Sequence, residues 1–233
     1  MARKILVTND DGIDAPGIAA LAKVAEAFGE VTVVAPDRAH SGCGHRVTTD
    51  EPIHFNEIAP RRWSINGTPA DCARIGLWRL VQDADWVFSG INSGGNLGVD
   101  VFMSGTVAAV REAALQGKPG IAVSHYRKSG GQFDWDRTTR LARRAIEQLI
   151  DHSLANGEFW NVNLPDLTGQ DDHVPQFIPC PLNPLHLPIH FEPENGGLRY
   201  RGIYHDRPRT SGDDVDVCFQ GHIAMTRMSV WRP

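Results

Sequence analysis

The sequence predicts an α/β fold built on a parallel sheet, on the strength of two observations. Short apolar, β-branched runs alternate with segments of helical periodicity from about residue 4 to residue 163. The first three of these segments, a strand, a helix and a strand, fit within about 32 residues, the length of one βαβ unit. Such a unit joins parallel strands through a right-handed crossover.

Each element has its own local signal. Lys4 to Thr8 (KILVT) is an apolar run closed by Asn-Asp-Asp-Gly, the pattern of a buried strand. From Pro16 to Phe28, apolar residues fall at Ile18, Leu21, Ala22, Ala25 and Phe28. That is helical spacing, with proline in the first turn and Gly29 as the stop. Val31 to Ala35 is a second buried strand. Thr68, Pro69 and Asp71 supply an N-cap, a first helical position and a partial capping box for the next helix. Trp86 to Ser89 reads as a strand running into a glycine-rich loop. Ser104 opens a helix that Gly117 and Pro119 end. Ile121 to Ser124 is a strand, Asp134 to His152 a long amphipathic helix, and residues 159–163 a further strand. Residues 165–208 hold eight of the fifteen prolines and no long periodic segment, which predicts hairpins and loops. Val215 to Met228 alternates and predicts a returning strand pair around Gln220-Gly221. The organisation expected is a core over residues 1–164 and an extension over 165–233 that returns to it.

Composition narrows the function classes. At 233 residues with 41% hydrophobic and 22% charged residues, the chain is an ordinary globular one, long enough to need no staples. A net charge of −5 gives no electrostatic footprint for duplex nucleic acid, although a single nucleotide needs only a local anion site. The amino terminus lacks the apolar region of a signal peptide, and no apolar run is long enough to span a membrane. Cys43, Cys72, Cys180 and Cys218 are scattered, without a CxxC pair. This predicts a reduced, cytoplasmic setting and no thiolate zinc site.

Polar chemistry concentrates at three strand ends. Asn9-Asp10-Asp11-Gly12 follows the first strand. Adjacent carboxylates at such an end repel unless a metal or a basic residue lies between them; alternatively the segment is an Asx-type turn. Pro36 to Gly42 follows the second strand and carries the Ser41 hydroxyl. Ser89 to Gly98 (SGINSGGNLG) and Ser104-Gly105-Thr106 combine flexible backbone with a helix start, where free amide groups converge on an anion. Neither a Walker A loop nor a dinucleotide fingerprint is present. Asp10, Asp11, Ser41 and Asn92 offer only oxygen donors, a set for a hard cation such as Mg²⁺, Mn²⁺ or Ca²⁺ rather than zinc. A hard cation beside an anion cradle points to phosphoryl chemistry. The aspartyl-phosphate pattern DxDx[ST] is absent at the first strand, so the nucleophile expected is water.

These segments together resemble the SurE family of survival-protein 5′/3′-nucleotidases. The resemblance rests on Ile5 to Leu21 (ILVTNDDGIDAPGIAAL), Ala35 to Arg38 with Ser41, Gly67 to Cys72, Ser89 to Asn92 with Asn96 to Gly98, and Ser104 to Ala109, in the family's order. It implies a Rossmann-like core and a C-terminal β-rich arm that packs between subunits of a homodimer or homotetramer. It also implies a metal-dependent phosphatase for nucleoside 5′- and 3′-monophosphates, with some activity on short polyphosphate. By position, Asp10, Asp11, Ser41 and Asn92 would hold the metal. Asn9, Asn96, Ser104, Gly105 and Thr106 would line the phosphate pocket, with Asp10, Asp11, Asn96 and Ser104 as the catalytic group.

Other tempting residues read more plainly. His45 and His125 are candidates for contact with the pocket, but His45 is expected to be a satisfied loop histidine. Asp71 reads as a helix-start residue, and Cys43 as a bystander without an activating base. Two rival functions remain at this point: a nucleotide-sugar transferase with a metal-clamping aspartate pair, and a non-catalytic nucleotide sensor of the same fold.

Overall fold

The computed structural model describes residues 2–128, 133–170 and 172–231. In chain order its strands are β1 (Arg3–Thr8), β2 (Gly29–Pro36), β3 (Phe55–Ala59), β4 (Arg62–Ile65), β5 (Trp86–Ser93), β6 (Gly120–His125), β7 (Glu158–Leu164), β8 (Phe177–Pro179), β9 (Phe191–Glu194), β10 (Gly197–Tyr200) and β11 (Ile223–Ser229). The helices are α1 (Pro16–Ala25), α2 (Pro69–Ile75), α3 (Gly105–Leu115), α4 (Trp135–Leu149) and α5 (Asp214–Phe219). Nine strands form one sheet in the order β3-β4-β2-β1-β5-β6-β7-β11-β8. From β4 to β7 every neighbouring pair is parallel; β3 and β11 run antiparallel to β4 and β7.

Period-two alternation places successive strand residues on opposite faces. Ile5 and Val7 pack with Ile18, Leu21, Leu141 and Ile146 of α1 and α4. Leu6, between them, packs on the other face with Cys72, Val107 and Val110 of α2 and α3. Both faces of the central strands are therefore covered, which is why they read as continuous apolar runs rather than alternating ones. Helix α1 sits very close to the sheet: a Cβ on Gly17 would lie 2.0 Å from the Ile91 carbonyl oxygen. Among the described residues no helix is long and apolar enough to cross a membrane.

The chain beyond Leu164 is more integrated than a hairpin extension would be. β8 and β11 complete the sheet, while β9 and β10 form a separate antiparallel hairpin. The strand pair expected over Val215 to Met228 is instead α5 followed by β11. Asp213 caps α5 by accepting from the Asp216 amide at 2.8 Å, and Asp214, Val215, Val217 and Cys218 are all buried. The alternation in DVDVCF therefore comes from a six-residue helix enclosed on more than one side. The β3–β4 hairpin has a wholly exposed β3 and no matching expectation above.

Candidate active site

The strand order reverses direction between β1 and β5, so a crevice opens at their carboxyl ends, the usual ligand site of open α/β sheets. Just beyond β1, Asn9 folds its side chain onto Gly12. The Gly12 amide donates to Asn9 Oδ1 at 3.2 Å, and Asn9 Nδ2 donates to the Gly12 carbonyl at 2.9 Å. Gly12 has φ +100°, and a Cβ there would lie 3.2 Å from the Arg38 carbonyl carbon. This closed turn presents Asp10 and Asp11 at the crevice.

Three elements converge on the pair. The His40 amide donates to the Asp10 carbonyl at 2.7 Å, which ties the loop carrying Ser41 to the end of β1. The Ser93 amide donates to Asp11 Oδ2 at 3.3 Å, which ties in the end of β5 beside Asn92. Helix α3 arrives amino end first. Ser104 caps it, accepting from the Val107 amide at 3.1 Å, and the Thr106 hydroxyl donates to Asp10 Oδ1. Gly105 is required here, because a Cβ would lie 2.7 Å from the Asp10 Cβ. Asn92 Nδ2 donates to the Gly94 carbonyl at 2.8 Å, which leaves its amide oxygen for a cation.

The electrostatics follow from burial without compensation. Asp10 is 4% exposed and Asp11 is half-buried. Burial, and then the neighbouring Asp11 charge, push the Asp10 carboxyl up to about 6 against the Thr106 donor. Burial also raises Asp11. Among the described residues neither carboxylate has a lysine or arginine ion-pair partner, and the largest influence on each is burial. Two adjacent carboxylates in a crevice, with a helix amino terminus but no ion-paired basic side chain among the described residues, form an unmet demand for positive charge. Among the described residues no group of three or more His, Cys, Asp or Glu is placed to hold a metal. The segments that meet here carry two carboxylates, the Ser41 hydroxyl and the Asn92 amide, oxygen donors of the kind that a hard divalent cation would take.

The family model described as survival protein SurE matches residues 5–179. The chain belongs to the SurE family. A putative 5′-nucleotidase of Nostoc is 48% identical over 97% of this chain and 99% of its own length. The 5′-nucleotidase SurE of Geobacter sulfurreducens is 45% identical over 72% of this chain and 64% of its own. The crystal structure of the SurE protein from Aquifex aeolicus has a TM-score of 0.83 and 27% identity, covering 97% of this chain and 93% of that one.

In this SurE chain the expected site residues divide into two groups. Asp10, Asp11, Ser41, Asn92, Ser104 and Gly105 lie on the segments that meet at the crevice. The side chains of Asn9, Asn96 and Thr106 are engaged internally. Asn96 is 7% exposed; its Nδ2 donates to Ser124 Oγ, and its carbonyl accepts from Asn161 and Asn163. It fastens the glycine-rich loop to the ends of β6 and β7. The position of Thr106 is legible as a helix start, but its bond to Asp10 has no sequence signal.

The remaining candidates are structural. Asp71 closes the capping box of α2 and accepts from Thr48. His45 Nε2 lies 2.9 Å from Glu112 Oε2, so it is partnered within the fold. His125 has Thr138 and Pro165 on its two ring nitrogens, and burial pushes it down to about 4. Cys43 donates to the Gly44 carbonyl at 3.4 Å, and burial raises its thiol.

Proposed function

We infer that this chain is a metal-dependent nucleotidase that hydrolyses nucleoside 5′- and 3′-monophosphates, with short polyphosphate as a further substrate. The observation that carries the reading is the Asp10–Asp11 pair, one carboxylate buried and one half-buried, without an ion-pair partner among the described residues and facing the amino end of α3. The names of its relatives support the nucleotidase class. Asp10, Asp11, Ser41 and Asn92 would hold Mg²⁺ or Mn²⁺. A divalent cation there supplies Lewis acidity and neutralises charge on the phosphoryl oxygens. The loop after β5 and the α3 terminus, with Ser104 and Gly105, bind the phosphate through backbone amides and the helix dipole. Thr106 fixes the Asp10 carboxylate. Asn96 takes a positioning part, holding the loop in register.

The exposed apolar residues Ile189, Leu198, Tyr200 and Ile203 on and beside the β9–β10 hairpin support a subunit contact in a homodimer or homotetramer. The four cysteines are free thiols, which supports a reducing, cytoplasmic compartment.

The test is phosphate release from 5′- and 3′-mononucleotides by protein stripped with EDTA, then reloaded with Mg²⁺ or Mn²⁺. Release restored by metal is expected. Activity that survives exhaustive chelation contradicts the metal-dependent reading. Binding of metal and nucleotide without any release would identify the non-catalytic sensor instead.

A further inference from the structure

The loop between β5 and α3 contains Gly94, Gly95 and Gly98, so its backbone is costly to order and needs external anchors. Asn96 is its anchor to β6 and β7. The rest of the loop is gripped by a segment more than a hundred residues later in sequence. Arg207 is 4% exposed. Its Nη1 pairs with Asp100 Oδ2 at 2.5 Å, and its Nη2 donates to the Leu97 carbonyl at 3.1 Å. The Tyr204 hydroxyl bonds Asp100 Oδ2 at 2.6 Å and the Gly95 carbonyl at 3.2 Å. Asp214 is fully buried, and its Oδ2 accepts from the Gly98 amide at 2.8 Å. Its Oδ1 accepts from Asn183 at 2.8 Å, and Asn183 reaches on to Asp213 at 2.5 Å. Gly98, at φ +52°, has Asn183 and Arg207 atoms within 3.3–3.4 Å of where a Cβ would stand.

The grip reaches the site itself. The Asp100 carbonyl accepts from the Ser104 amide at 2.9 Å, and Ser104 is the cap of α3. The path from Arg207 through Asp100 to Ser104 therefore ends at the amino end of α3, whose Gly105 and Thr106 meet Asp10. An apolar contact would hold a loop at lower desolvation cost than a buried ion pair. A forked guanidinium spanning a carboxylate and a carbonyl adds direction, which apolar packing does not.

We propose that Arg207, with Tyr204 and Asp214, is a positioning residue that sets the phosphate-binding loop and the amino end of α3 in their working geometry. The proposal rests on the nucleotidase reading for its substrate. It makes phosphate recognition depend on a segment outside the N-terminal core, while metal binding depends on β1, β5 and the Ser41 loop.

The test uses the full-length chain with Arg207→Lys, which keeps the charge but loses the fork, and Tyr204→Phe as a milder second variant. KM and kcat for AMP are measured at saturating Mn²⁺. Inorganic phosphate and Mn²⁺ affinities are measured by calorimetry. For Arg207→Lys, phosphate affinity should fall and KM rise about tenfold or more, on the scale of a loop misplaced by a fraction of an ångström. Mn²⁺ affinity should be unchanged, and Tyr204→Phe should shift the same quantities less. Phosphate affinity at the wild-type level in a folded Arg207→Lys protein overturns the proposal. So does a parallel fall in Mn²⁺ affinity, the mark of a merely structural role. If Arg207→Lys does not fold, Tyr204→Phe decides on the same two affinities. A wild-type protein that releases no phosphate from AMP defeats the nucleotidase reading instead; the phosphate and Mn²⁺ affinities still decide the positioning proposal.

Discussion

Two acidic clusters flank the β5–α3 loop, and they differ in what answers their charge, although burial raises one member of each, Asp10 and Asp214, to about 6. Asp10 and Asp11 are adjacent carboxylates whose neighbours are a hydroxyl, backbone amides and a helix terminus. Asp100, Asp213 and Asp214 form the other cluster. There, Arg207 pairs with Asp100, while Asn183, Thr210 and Gly98 supply donors to Asp213 and Asp214. Composition alone would call both acidic. In the second cluster Arg207 answers Asp100 and amides saturate the oxygens of Asp213 and Asp214, which makes it scaffold. At Asp10 and Asp11 the proposed metal would bring the charge. Each prediction below would blur or sharpen that contrast.

The largest effect belongs to the scaffold. Arg207→Ala leaves Asp100 buried without its partner and should cost about 3–5 kcal/mol of stability. The check is chemical denaturation in EDTA, where a loss under about 1 kcal/mol would show the pair to be dispensable.

Next comes Asp11→Asn, which keeps shape and removes one charge. It should cut AMP hydrolysis about a hundredfold or more, the scale of several kcal/mol that Lewis-acid catalysis supplies. In metal-free buffer it should be no less stable than wild type, because the repulsion is gone. Wild-type activity, or a marked loss of stability in EDTA, would make the pair a structural turn.

A smaller effect follows from the Asp10 carboxyl, which burial and then Asp11 push up to about 6. The native state holds that proton more tightly than the unfolded chain does. Its ionised form therefore penalises the apo fold fully above pH 6, and the penalty fades as pH falls toward 4. In EDTA, Asp10→Asn should exceed wild type by about 3 kcal/mol near pH 7.5 and lose most of that advantage near pH 4. With saturating Mg²⁺ the ranking at neutral pH should reverse, since the cation stabilises only the fold that binds it. An advantage in EDTA that does not change with pH would contradict this assignment.

The smallest effect is that of thiol alkylation. Burial raises the Cys43 thiol and holds Cys72 and Cys218 well above the ordinary range. Brief treatment at neutral pH should leave most activity intact. Complete loss, with nucleotide protecting Cys43, would place that thiol in the mechanism.

Much of this contrast was legible in the sequence, but unevenly. The segments that meet at the crevice were readable because those carrying Asp10-Asp11, Ser41, Asn92 and Ser104 each follow a strand or open a helix, and parallel topology brings such ends to one edge. The continuous apolar runs likewise predicted β1, β2, β5, β6 and β7. The scaffold cluster was not readable: Asp100 and Arg207 meet through tertiary folding across 107 positions, with no spacing to link them. Helix α5 was missed because Val215, Val217 and Phe219 alternate like a strand. The Gly212-Asp213 start, with Asp216 three residues on, was the capping signal that outweighs that alternation. Thr106 was recognised as part of a helix start, yet its work is on Asp10, a contact only the packing of α3 against β1 creates.

The most direct measurement is calorimetric titration of Mn²⁺ into chelated wild type, Asp11→Asn and Tyr204→Phe. Wild type and Tyr204→Phe should bind one ion with the same affinity, because the scaffold cluster already holds its cation. Asp11→Asn should bind at least tenfold more weakly, the loss of one charged ligand. Equal binding by wild type and Asp11→Asn would contradict the assignment of the Asp10–Asp11 pair as the metal site.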